Sequence, residues 1–175
     1  MRIDEFEHVI AAAANVTGQD PEAPAVMLVS LEADIYPRYR PELVDAIDGA
    51  LGDGSQFHVT YGYYAHGVGP ETAKAPAGWE QRLVPVSVPP RLNSGRVPVA
   101  WCLEVHDLVL SKCAAGRQRD WDYAREALAA RVVEAAVLLD RVGELPLDDA
   151  GRAHVASTLR AIIAMREEPR VETGD

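Results

Sequence analysis

Cysteine is scarce in this chain: Cys102 and Cys113 are the two in 175 residues. A disulfide framework or a cysteine-based zinc site needs more of them, or Cys and His at ligand spacing. Both sit among apolar neighbours, so the expectation is two small buried hydrophobes. Long apolar runs are missing as well, and none approaches the ~20 residues of a membrane helix. The first fifteen residues are amphipathic and of mixed charge, without the basic start and apolar core of a signal peptide. The expected address is therefore the cytoplasm, with no membrane partner. Positive charge is short too: 17 Lys and Arg against 27 Asp and Glu leave a net −10. Proteins that grip nucleic acid by neutralising many phosphates are usually basic. The balance argues against extensive contact of that kind and leaves only a local basic strip, Arg91, Arg96, Arg117 and Arg119. There is no G-x-S-x-G elbow and no P-loop. Gly67-Val68-Gly69 lacks the third glycine and the following helix of a dinucleotide fingerprint.

What is present is an ordinary globular composition, 48% hydrophobic and 25% charged, long enough to bury a core without staples. Apolar residues at helical spacing predict a helix over 4–16, with Asp4 as a cap and Gly18 as a stop. Residues 25–29 form a short apolar run of ambiguous type. Alternation over 31–36 predicts a strand with Leu31, Ala33 and Ile35 on one face and Glu32 and Asp34 on the other. Pro41 opens a helix over 42–51, and Gly52 follows it. Aromatic and β-branched content suggests a strand over 57–64 bent at Gly62, then a loop over 67–78. Strands are expected over 83–88, at an edge because of Pro85, and over 99–103, with a turn over 89–98 between them. Helices are expected over 104–115, 120–130, 132–142 and 148–165, the last capped by Asp148. The order predicts an α+β fold with a core over 1–103, a helical C-terminal part of the same domain over 104–168, and a frayed tail over 169–175.

Three constellations could carry chemistry. Glu32 and Asp34 are two apart on a predicted strand, so their carboxylates share one face about 6.5–7 Å apart. Such a pair suits magnesium, which takes carboxylate oxygen together with water and substrate phosphate. The same spacing also suits a solvated acidic face of an edge strand. The run Phe57-His-Val-Thr-Tyr-Gly-Tyr-Tyr-Ala-His-Gly-Val-Gly-Pro-Glu-Thr72 sets tyrosines and histidines among glycines. Tyr63, Tyr64 and His66 there could line a pocket for a base or sugar, or simply pack a surface loop. Lys112 has Leu108 rather than an acid one turn before it, so it can reach outside its own helix toward a phosphate. It can equally serve the helix C-terminus. Arg117 is a further substrate-binding candidate, or part of a solvated turn with Arg119 and Asp120.

Three stretches together resemble a bacterial group of nucleotidyltransferase-like proteins, distant relatives of the abortive-infection toxin nucleotidyltransferases. They are Glu32-Ala-Asp-Ile-Tyr-Pro37, the run from Phe57 to Thr72, and Trp101-Cys-Leu-Glu-Val-His-Asp-Leu-Val-Leu-Ser-Lys-Cys-Ala-Ala-Gly-Arg-Gln-Arg-Asp120 with its continuation. The resemblance covers about residues 2–130. It implies a small mixed sheet whose acidic pair binds magnesium beneath a nucleoside triphosphate, from which a nucleotide passes to an acceptor. Glu32 and Asp34 match the acidic pair, and Lys112 matches a lysine that meets phosphate. Tyr63, Tyr64, His66 and Arg117 would then shape the substrate pocket. The chain departs from the pattern between the first helix and the acidic strand. Thr17-Gly-Gln-Asp20 runs into Pro21-Glu-Ala-Pro24 without the strand and Gly-Ser turn that would hold the triphosphate. Without that segment the fold could serve for binding or self-association, with an exposed sheet edge to cover.

Overall fold

The computed structural model describes residues 2–17, 26–29, 33–87 and 99–167. Their contacts divide the chain into two compact units, 1–73 with 80–104, and 74–79 with 105–175.

The first unit is a five-stranded mixed sheet with helices. Helix α1 (Ile3–Thr17) carries acids in its first turn, where they favour the positive end of the helix dipole. It buries Val9, Ile10 and Ala13. The ambiguous run at 25–29 is a strand, β1 (Val26–Val29), so a strand does stand between α1 and β2 (Ala33–Tyr36), where none was expected, and it is an interior strand of the sheet. Strands β1 and β2 are antiparallel, with Leu28 opposite Asp34. Pro41 opens a 3-10 turn that runs into α2 (Val44–Leu51).

Residues 57–64 do not form the expected strand. Gln56–Tyr61 is a helix, α3, and the chain becomes a strand only at β3 (Ala65–Gly67). The helix is locally encoded at both ends. The Ser55 side chain accepts the His58 amide at the N-terminus, and Gly62 takes φ 77° at the C-terminus. Helical spacing brings Phe57 and Tyr61 together, ring centroids 4.9 Å apart. The loop that follows contains a short 3-10 turn, Pro70–Thr72.

Strands β4 (Val84–Ser87) and β5 (Val99–Cys102) complete the sheet, in the order β3-β2-β1-β5-β4. Strand β2 is parallel to β3, and β1 is parallel to β5. Pro85 therefore lies in an edge strand, where its missing N–H is tolerated. The expected turn over 89–98 lies outside the described residues, as does the tail over 169–175. The core of this unit gathers Val9, Ala33, Ile35, Ile47, Ala65 and Ala100, all essentially inaccessible.

The second unit is helical: α4 (Val105–Ala115), α5 (Gln118–Ala129), α6 (Ala135–Arg141) and α7 (Asp149–Glu167). Gly116, at φ 72°, breaks α4 from α5. The expected helix over 132–142 is confined to α6, with a 3-10 turn after it. Asp148 caps α7, its carboxylate accepting the Gly151 amide at 2.7 Å. Leu110, Cys113, Leu128, Leu138, Leu145 and Leu159 fill this core. Asp107 is buried within it, 3.0 Å from Arg141. Among the described residues no helix is long and apolar enough to cross a membrane.

Candidate functional site

Strand alternation positions Asp34. Ala33 and Ile35 on either side of it are fully buried on the core face, so Asp34 belongs to the opposite, half-exposed face. Its register partner on β3 is His66, and the same alternation places His66 beside it, with Ala65 turned into the core. Adjacent strands lie about 4.8 Å apart, so the two residues are register neighbours on that face of the sheet.

His66 is oriented from α2. Its Nδ1 is 2.9 Å from Asp48 Oδ1. A carboxylate oxygen accepts, so Nδ1 carries a proton, and in the neutral ring Nε2 then presents a lone pair. The contact depends on Gly67. A Cβ there would overlap the Val44 carbonyl oxygen and come within 3.1 Å of the Asp48 amide nitrogen. Only glycine lets the α2 backbone lie this close to β3.

Tyr64 continues the group. Its ring centroid is 5.1 Å from His66, edge on, and 4.7 Å from His58. His58 Nδ1 lies 3.0 Å from both the Gly54 amide and Asp53 Oδ1. Without a proton Nδ1 accepts from the first, and with one it donates to the second. Tyr64 thus stands between two imidazoles, each beside an aspartate.

The remaining sequence candidates either have other local partners or lie outside the described residues. Tyr63 joins His8, Phe57 and Tyr61 in an aromatic group, with its hydroxyl 2.6 Å from His8 Nδ1. Burial, then the nearby Glu5 and Asp4 carboxylates, push its hydroxyl pKa above the ordinary tyrosine value. Glu32 lies outside the described residues. Lys112 and Arg117 belong to the helical unit. Lys112 Nζ is 5.2 Å from the Tyr123 ring centroid, so it does reach outside its own helix, toward a π face. The Arg117 guanidinium pairs with Asp120 at 2.9 Å, and the Asp120 carboxylate also accepts the Arg117 amide in a capping box. Of the basic strip, Arg91 and Arg96 lie outside the described residues.

The structure therefore brings Asp34, Tyr64 and His66 into one neighbourhood. Asp48 and Asp53 were not legible as members. Asp48 is 18 residues from His66, and nothing local distinguishes it from Asp45 on the same helix. Among the described residues no three His, Cys, Asp or Glu side chains converge as a metal cage. Magnesium does not require one, since one or two carboxylates with water and substrate phosphate suffice. Asp34 offers a hard oxygen donor of the right kind. Both cysteines are poor metal or nucleophile candidates, because burial pushes the Cys102 thiol to about 11 and Cys113 to about 12.

No protein-family model matches the chain, no curated protein matches it, and no solved structure matches it.

Proposed function

We propose that this chain is a nucleotidyltransferase-like protein that binds a nucleoside triphosphate with magnesium and passes a nucleotide to an acceptor hydroxyl or amine, with pyrophosphate as the leaving group. The observation that carries the reading is the face of β2 and β3 that holds Asp34 beside His66, with Tyr64 flanking His66. Asp34, with Glu32 two residues before it, would hold the magnesium, which supplies charge neutralisation to the triphosphate. Tyr64 offers an aromatic ring to a base or sugar, and His66 a hydrogen-bonding edge. For phosphoryl-type transfer most of the rate comes from positioning and charge stabilisation, so these are the roles the side chains have to fill.

A second reading is a binding module without turnover. It is favoured by the passage from β1 into β2 with only three residues between them, and by the absence of a Gly-Ser pair in the sequence between α1 and β2. One experiment separates the two. Thermal melting is followed with ATP, CTP, GTP or UTP, with and without magnesium, for the wild type and Asp34→Ala. Labelled-nucleotide transfer is measured in parallel. Stabilisation that needs both magnesium and Asp34, with transfer abolished in Asp34→Ala, supports the transferase. Stabilisation without transfer supports a nucleotide-binding module, and no stabilisation by any nucleotide overturns the transferase and leaves a module that binds a protein partner or itself.

A further inference from the structure

We propose that the Asp48–His66 pair reads a sugar hydroxyl of the bound nucleotide, with His66 making the contact and Asp48 acting as its positioning residue. The proposal rests on the nucleotide reading above and adds the substrate feature that is selected. Because Asp48 accepts from Nδ1–H at 2.9 Å, the neutral ring is held in the tautomer whose Nε2 only accepts. An acceptor edge recognises an O–H or N–H donor and is indifferent to a phosphate oxygen. His66 also stands one strand spacing, about 5 Å, from Asp34 in register. A nucleotide whose phosphates were held at Asp34 would have its sugar within reach of His66. Tyr64, edge on to His66, supplies the apolar side that a sugar ring packs against.

The arrangement is built into the backbone. Gly67, next to His66, admits the α2 backbone and so brings Asp48 within reach. His66 keeps about a third of its side-chain surface exposed, 35%, and Asp48 51%, so the pair borders solvent where a ligand can enter.

The test compares magnesium complexes of the four ribonucleoside triphosphates with their 2′-deoxy, 3′-deoxy and dideoxy counterparts. Dissociation constants are measured for the wild type, His66→Ala, His66→Asn, Asp48→Ala and Asp48→Asn, with ligand-free melting as the folding control. The wild type is expected to bind the ribonucleotide about tenfold more tightly than the analogue lacking the hydroxyl that is read. That ratio falls to about one in His66→Ala and Asp48→Ala. Asp48→Asn restores most of it, because the amide oxygen still accepts from Nδ1–H. A purely structural Asp48 would weaken all nucleotides together and leave the ratio unchanged. Equal wild-type affinity for ribo and dideoxy forms, or a ratio retained in both His66 variants, overturns this proposal while leaving the nucleotide reading intact. Wild-type protein that binds none of these nucleotides overturns the nucleotide reading, and this proposal with it.

Discussion

Gly67 on β3 and Val44 on α2 touch backbone to backbone: a Cβ on Gly67 would overlap the Val44 carbonyl oxygen. That close approach seats α2 on the sheet edge and carries Asp48 to His66. Gly67→Ala should therefore act on stability and on the site together. Because the obstructing atoms are backbone, the strand and helix must part, at a cost of about 1–3 kcal/mol. Urea unfolding reads the stability loss. The chemical shifts of the His66 ring, compared with those in Asp48→Ala, report whether the pair has opened.

Asp107 is fully buried and paired with Arg141. Removing the arginine should cost more than removing both charges, since it leaves a buried carboxylate without that partner. Arg141→Ala is expected to lose about 3–5 kcal/mol, and Arg141→Met with Asp107→Leu to recover much of it. Chemical denaturation of the two variants against the wild type decides this.

Arg131 follows α5 at φ 57°, a left-handed conformation that suits glycine. The Val132 amide reaches back to the Ala127 carbonyl, and the Arg131 amide to that of Leu128. This closes a Schellman turn with Arg131 at its left-handed position. Arg131→Gly should raise stability by about 0.5–1 kcal/mol, part of the relieved strain being offset by the freer unfolded glycine. Calorimetry should show a higher Tm.

Cys102 and Cys113 titrate at about 11 and about 12 because burial disfavours their thiolates. The unfolded chain ionises near pH 8.5, so it binds fewer protons than the native state above that pH. The stabilisation is fully present below about pH 8.5 and is lost as pH rises toward 11 for Cys102 and 12 for Cys113. Urea unfolding from pH 7 to 10.5 should give a falling stability, with a shallower slope in a Cys102→Ala, Cys113→Ala protein.

Much of the framework could be read from local chemistry. Pro41 and Gly52 bracket α2, Gly116 separates α4 from α5, and Asp148 caps α7. Each acts through φ, ψ or a single side chain over a few residues, so sequence spacing alone reveals it. The alternation that buries Ala33 and Ile35 and turns Asp34 to the other face is equally local, because a strand has a period of two.

Residues 57–64 were harder, although Ser55 and Gly62 signalled a helix at both ends. Their aromatic and β-branched content suits a strand, whose side chains want a surface to pack on. In the fold Phe57 and Tyr61 pack against His8 of α1, ring centroids 5.2 and 4.5 Å away. Tertiary packing on a partner some fifty residues earlier thus supports the helical spacing. The candidate site divides in the same way. Asp34, Tyr64 and His66 carry their chemistry in plain sight, but only the seating of α2 against Gly67 makes Asp48 the partner of His66. A hydrogen bond between residues 48 and 66 depends on an angstrom-scale approach of two backbones, and one-dimensional spacing does not encode that distance.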